Sequence, residues 1–460
     1  MSATPTLVYG PTFAEMRDPS RIRADVRQRA LAARARPLDP LNLYNIHWKD
    51  DAGNVRHTRI PPALSGVDAE IVVLVGRHFP TGSHKVGATY SILIEKQMAG
   101  EARPDQHTVI WPSTGNYGIG GAWVAPRMGY RSLVVLPEDM SLERYEKIHE
   151  YGSEYIKTPG SESNVKEIYD KVHELLRNPE NRVMQQFAEF GNYRFHYEVT
   201  GNAILELVES LARQGVGRGQ VAAFVSAMGS AGTIAAGDRI REAQSGVRIV
   251  GLEPVQCPTL FNVGYGAHRI EGIGDKHVTW IHNVLNMDWL LCIDDQQCLM
   301  GLQLLEEGHD VLRRELGIES ELLASWRGTF GVSGVCNILG AIQTARLLRL
   351  GKSDVVVTVA TDGFDRYPSV LRRLEAEHGP MTAAVARRRM GIFHDTRPDM
   401  ALEGTPTTRL RWHNQKYFTW VEQQGKTVAE LEAQKSPDYW RREAGRIAEI
   451  DRALVAARGF

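Results

Sequence analysis

From about Ala69 onward the chain alternates short apolar, β-branched runs with longer stretches whose apolar residues return every three or four positions. Runs of the first kind mark strands and a 3.6-residue period marks helices, so the alternation predicts parallel strands joined by crossover helices. The class is α/β. Strands are predicted at Glu70–Val75, Thr108–Trp111, Ser132–Leu136, Val221–Val225, Arg248–Leu252 and Val355–Ala360. Several are apolar throughout, as strands covered on both faces must be. Helices are predicted at Gly87–Met98, Ile119–Met128, Leu142–Tyr151, Asn164–Leu176, Gly201–Gln214, Thr233–Gln244 and Cys336–Leu350.

The ends follow a different pattern. Residues 1–62 form an N-terminal extension in which the basic stretch Arg21–Arg36 predicts a solvated helix, because alanine and arginine dominate it without a wide apolar stripe. After about Glu375 the strand signal stops, so residues 376–460 are expected to be a helical C-terminal extension, anchored by Trp412, Trp420 and Trp440. Residues 63–375 then form a core of two intertwined lobes, the smaller over about 112–200. A chain of 460 residues supports such a division. No internal repeat or low-complexity tract interrupts it.

Composition narrows the function. A formal net charge of −1 gives no positive field to gather nucleic acid or anionic lipid, so a small molecule is the expected partner. No segment has the apolar length of a membrane span, and Met1–Gly10 lacks the layout of a secretory signal, so the expected location is cytoplasmic. Cys257, Cys292, Cys298 and Cys336 form no CxxC pair and have no histidine at zinc-finger spacing, which argues against a disulfide framework or a bound metal.

Three turns carry chemistry. Gly229-Ser-Ala-Gly-Thr233 leaves a predicted strand and opens a helix, where backbone N–H groups converge on an anion. Gly215-Val-Gly-Arg-Gly219 has the opposite order, helix before strand, and is a turn. Ser113-Thr-Gly-Asn-Tyr-Gly118 also opens a helix, and its hydroxyls, amide and N–H groups suit a carboxylate or a ring oxygen, although one hydroxyl could simply cap the helix. Pro80-Thr-Gly-Ser-His-Lys-Val-Gly87 puts Lys85 at a helix N-terminus, which disfavours a positive charge. A lysine there is either solvated or made neutral and nucleophilic.

Taken in this order, Pro-Thr-Gly-Ser-His-Lys, Ser-Thr-Gly-Asn-Tyr-Gly and Gly-Ser-Ala-Gly-Thr resemble the fold-type II pyridoxal-phosphate (PLP) enzymes, which include tryptophan synthase β-subunits, cysteine synthase and cystathionine β-synthase. The resemblance runs from about Pro61 to Tyr367 and takes in Gly129–Glu138, Gly251–Pro254, Glu271–Gly274 and Gly331–Gly334. It implies two parallel-sheet α/β lobes with PLP in the cleft between them, and a homodimer. By the same resemblance, Lys85 is the Schiff-base lysine with His84 beside it, Asn116 bonds the ring oxygen, and Gly229, Ser230, Ala231, Gly232 and Thr233 cradle the phosphate. Ser113, Thr114 and Gly115 hold the carboxylate of a small amino-acid substrate.

Three positions depart from the family pattern. Ala231 stands where glycine is usual, and Tyr117 replaces a small residue after the asparagine, which reshapes the substrate pocket. The hydroxyl that faces the pyridine nitrogen aligns near Gly363, leaving Asp362 or Thr361 to fill that role, with Asp362 the expected one. The activity implied is β-replacement through an aminoacrylate, as in cysteine synthase or cystathionine β-synthase. β-Elimination by a dehydratase, ammonia-lyase or desulfhydrase is the runner-up, and an inactive scaffold subunit is the third reading. A nicotinamide oxidoreductase is disfavoured because no GxGxxG follows a strand with an acid spaced behind it.

Overall fold

The computed structural model describes residues 7–113, 115–160 and 165–459. Eleven strands form among them: β1 (His57–Ile60), β2 (Glu70–Val75), β3 (Thr108–Pro112), β4 (Arg131–Pro137), β5 (Glu154–Thr158), β6 (Asn181–Val183), β7 (Val221–Ala227), β8 (Arg248–Pro254), β9 (Trp289–Ile293), β10 (Val355–Ala360) and β11 (Ala401–Glu403). They build two sheets, a larger one in the order β1-β2-β10-β7-β8-β9-β11 and a smaller one in the order β5-β4-β3-β6. The smaller sheet is parallel throughout, and so are the five central strands of the larger.

Burial explains the apolar runs. Every residue of β10 is buried: the Val332–Leu347 helix covers one face of the large sheet, and on the other Val355, Val357 and Val359 join a core cluster with Leu207, Val208, Leu211 and Ile240 from the Gly201–Arg213 and Ala236–Ala243 helices. The Asp295–Glu307 helix packs behind Val332–Leu347. The small sheet carries the Asn116–Arg127, Leu142–Glu150 and Val165–Leu175 helices. All six predicted strands form, each within two residues of its expected ends. Of the helices, Gly87–Met98 starts earlier, at Lys85; Thr233–Gln244 opens with a 3₁₀ turn at Thr233–Ala235; and Cys336–Leu350 runs instead from Val332 to Leu347. Asn164, the first residue of another predicted helix, lies outside the described residues.

Both extensions contribute strands as well as helices. β1 pairs antiparallel with β2, and β11 pairs antiparallel with β9, so each covers one edge of the parallel sheet. The helix in the basic stretch spans Ala24–Ala33 and buries Val26, Ala30 and Ala33, one stripe rather than a fully solvated surface. Asn42 and Asn45 donate to the carbonyls of Ala33 and Ala30 at 2.9 and 2.8 Å and hold its C-terminal end. The two ends of the chain also clasp each other. The Asp451 carboxylate accepts from the N–H groups of Phe13 and Ala14 at 2.8 and 3.0 Å, and Arg458 forms a two-pronged bond to Glu15 at 3.0 and 2.6 Å.

Trp412, Trp420 and Trp440 are buried, and each indole N–H donates to a backbone carbonyl, those of Leu260, Val278 and Gln434. They anchor the C-terminal extension. Trp412→Ala removes a fully enclosed side chain, so an expected loss of about 3–5 kcal/mol in unfolding free energy should appear in urea titration.

Candidate active site

The C-terminal ends of β3 and β7 face each other across the junction of the two sheets, and one cleft of about 550 Å³, its mouth included, opens there. Its walls bring together His84, Lys85, Ser113, Gly115, Asn116, Tyr117, Gly229–Thr233, Ser333 and Thr361, along with residues that no motif singled out, chiefly Gln186 and Asp275. Thr114 lies outside the described residues.

Lys85 is the first residue of its helix. Its Nζ donates to Ser230 Oγ at 2.7 Å and lies 3.5 Å from Gln186 Oε1. Enclosure by protein pulls its pKa down to about 8, against the opposing pull of the Asp275 carboxylate. A large share of the population is therefore neutral amine under mildly alkaline conditions. His84 Nε2 pairs with Thr233 Oγ1 at 2.9 Å, and burial, then the Lys85 charge, lowers its pKa to about 3. The ring is neutral near pH 7.

The Gly229–Thr233 turn follows β7 and leads into the 3₁₀ turn at Thr233–Ala235, then the Ala236–Ala243 helix. Ala231 adopts φ +60°, a left-handed conformation that costs a non-glycine residue about 1–2 kcal/mol. The loop accommodates the extra methyl group by accepting that strain. A Cβ on Gly232 would lie 2.0 Å from Asn192 Oδ1, so only glycine fits. Asn192 Nδ2 in turn donates to Ser230 Oγ at 2.9 Å, and Thr279 Oγ1 donates to the Ser230 carbonyl at 3.0 Å.

In the β3 loop, Ser113 Oγ accepts from the N–H groups of Gly115 and Gly118 at 2.9 and 2.6 Å, so this hydroxyl caps the helix that starts at Asn116. Gly115 sits at φ +148° beneath Arg144, whose guanidinium would lie 2.2 Å from any Cβ there. Tyr117 packs edge-on against Trp111 and donates to the Met184 carbonyl at 2.9 Å, which ties its hydroxyl into the small lobe. Asn116 Nδ2 donates to Asp362 Oδ2 at 2.6 Å, and Tyr367 donates to the same oxygen at 2.7 Å.

Asp362, expected to face the pyridine nitrogen, is thus fully buried, with one carboxylate oxygen engaged by Asn116 and Tyr367; it does not line the cleft. Thr361 does, and its hydroxyl lies 2.7 Å from that of Ser333. Ser333 belongs to the Gly331–Gly334 motif, so the sequence marked the turn without marking the side chain. Gln186, Asn192 and Asp275 came with no local signal.

Polar ties close the cleft between the lobes. Arg144 Nε bonds Glu271 at 2.5 Å and its Nη2 donates to Tyr367 Oη at 3.1 Å; Lys147 pairs with Asp365 at 2.9 Å, and Ser369 N donates to Glu143 at 2.8 Å. The chemistry of the donors fits a phosphorylated, aldehyde-bearing ring. A lysine of lowered pKa stands beside a helix-opening turn whose backbone N–H groups can donate to a phosphate, and the Asn116 amide lines the same cleft.

Fold and cleft together define an enzyme of the fold-type II PLP class. Residues 62–362 match the family model described as pyridoxal-phosphate dependent enzyme, and the chain belongs to that family. It is 30% identical over 302 residues to a cysteine synthase of Staphylococcus aureus, covering 65% of this chain and 88% of that one. A probable cysteine synthase of Bacillus subtilis is 29% identical over 321 residues, covering 69% and 94%. Among solved structures, a hydrogen sulfide-producing enzyme in a mutant form is 26% identical with a TM-score of 0.56, covering 65% of this chain and 83% of that one. O-acetyl serine sulfhydrylase isoform 3 from Entamoeba histolytica, at 22% identity, shares the fold with a TM-score of 0.59, covering 73% and 92%. Among the described residues no helix is long and apolar enough to cross a membrane.

Proposed function

We propose that the chain replaces the β-substituent of a small L-amino acid with an incoming nucleophile, in the manner of cysteine synthase. One observation carries the reading: Lys85, the Gly229–Thr233 nest and Ser113, Gly115 and Asn116 line a single cleft between two lobes. The cysteine synthases among its relatives support it.

In this reading PLP, when bound, supplies the electron sink that allows the bond to Cβ to break. Lys85, neutral when it attacks, would hold the cofactor covalently and would later carry the Cα proton. Gly229–Thr233 bind the phosphate through backbone N–H groups, with His84 orienting Thr233. Asn116 reaches the ring oxygen, and Ser113–Gly115 take the substrate carboxylate. The Thr361–Ser333 hydroxyl pair, on the cleft wall, serves the ring nitrogen, while Asp362 positions Asn116.

Uptake of PLP by the apoprotein should depend on pH through Lys85. The amine is protonated below its pKa and neutral above it, so the rate should rise through about pH 8 and level off beyond. Stopped-flow absorbance measures this; an ordinary lysine would keep rising toward about pH 10.4.

The reaction is tested by giving the holoenzyme O-acetyl-L-serine, L-serine or L-cysteine together with sulfide or a thiol, and identifying products by mass spectrometry. A new amino acid carrying the acceptor supports replacement. Keto acid and ammonia alone would turn the assignment to β-elimination, the second reading, which the likeness to a hydrogen sulfide-producing enzyme favours.

A further inference from the structure

Asp275 lies in the loop that follows Glu271-Gly-Ile-Gly274, and its side chain lines the cleft together with Lys85, Gln186 and Ser230. Its backbone is fixed on three sides. Gly274 N donates to the Met228 carbonyl at 2.9 Å, Thr259 Oγ1 donates to the Asp275 carbonyl at 2.9 Å, and the His268 ring lies 3.1 Å from the Gly274 carbonyl. The residue is only 7% exposed, yet among the described residues its carboxylate takes part in no hydrogen bond or ion pair. A carboxyl so largely shielded, lining a cleft with no protein partner among the described residues, is the kind of group that gathers at functional sites.

Replacement at Cβ needs two proton carriers. Lys85 serves Cα, where one proton leaves and returns. At Cβ, a departing hydroxyl or thiol must gain a proton as its bond breaks, and an incoming thiol must lose one as its bond forms. An acetate group departs as a stable anion and needs no acid.

We propose that Asp275 is the general acid–base residue at the β-carbon, and that the preferred substrate carries a β-hydroxyl or β-thiol rather than an ester. The inference rests on the β-replacement reading above. The Cα–H proton passes to Lys85 and its electron pair forms the Cα–Cβ double bond. The Cβ–O or Cβ–S pair leaves with the departing atom, which takes the Asp275 proton. The acceptor then bonds to Cβ through its own electron pair and returns a proton to Asp275, while Lys85 returns one to Cα. Substrate and acceptor exchange substituents, and both side chains end as they began.

Burial pushes the Asp275 pKa up to about 7, with the Lys85 charge pulling the other way, so acid and conjugate base are both populated near neutrality. The titratable groups that feel its charge are Lys85, Tyr169 from the Val165–Leu175 helix, and Cys257 from the loop after β8.

The test compares wild-type and Asp275→Asn holoenzymes on L-serine, L-cysteine and O-acetyl-L-serine, with Cα–H exchange in D₂O as a measure of the Lys85 step. The expected loss is roughly 100-fold or more greater for L-serine and L-cysteine than for the ester, the usual scale of general acid catalysis, with Cα–H exchange falling less than about tenfold. Difference infrared spectroscopy of the apoproteins should show a carboxylic acid band that titrates near neutral pH and disappears in Asp275→Asn. Equal losses on all three substrates, an unchanged rate on L-serine, or no such band overturns the inference. A wild-type enzyme active only on the ester also overturns it and leaves the β-replacement reading standing; one that turns over none of the three overturns that reading as well.

Discussion

Lys85→Ala is expected to abolish turnover, by roughly 1,000-fold or more, and to leave the apoprotein folded. In the proposed reading the amine is the nucleophile, and among the described residues Lys85 is the lysine that lines the cleft. Stability should hold or rise slightly, because the substitution removes a cation whose burial already depresses its pKa. Borohydride reduction of the wild-type holoenzyme followed by peptide mapping should place the label on the peptide containing Lys85. A label on another lysine, or a fully active Lys85→Ala protein, would overturn the assignment of the nucleophile.

Gly232→Val should empty the site by another route. The new Cβ lies within 2.0 Å of Asn192 Oδ1, so Asn192 must move, and with it the bond from its Nδ2 to Ser230 Oγ. In the proposed reading the nest would then lose one or two charge-assisted hydrogen bonds to the phosphate, each about 1.5–3 kcal/mol. PLP affinity should fall roughly 100-fold or more, which fluorescence titration of the apoprotein measures. An unchanged affinity would place the phosphate elsewhere.

The two substitutions fall on motifs that local sequence made legible. Strand-turn-helix order separates Gly229–Thr233, which lines the cleft, from Gly215–Gly219, which does not, because backbone direction at such a junction follows from chain order. Strands with β-branched apolar runs were equally plain. β9 was not, since Trp-Leu-Leu-Cys-Ile reads as readily as a buried helical turn, and β5 exposes most of its residues. β1, β6 and β11 have three or four residues each, too few for a period to show.

Residues that long-range packing places in the cleft wall, as Asp275, or behind it against Ser230, as Asn192, are also hidden. Asp275 and Asn192 lie 190 and 107 positions from Lys85 in sequence, and nothing adjacent to either signals burial. Thr361 and Asp362 show the finer limit. Successive side chains leave an extended backbone on opposite sides, so one looks into the cleft and the other toward Asn116, and only the register of the turn after β10 decides which.

The clasp between the chain's ends has a consequence in time. The N–H groups of Phe13 and Ala14 find their acceptor 438 and 437 residues later, on a helix that ends at Arg458. At about 5–20 residues per second, synthesis takes roughly 20–90 s to bring that helix out of the ribosome. The first helix, only five residues long, cannot persist alone for that interval. Phe13 and Ala14 are thus made long before their acceptor and settle among the last, so through most of that interval their segment stays unsecured.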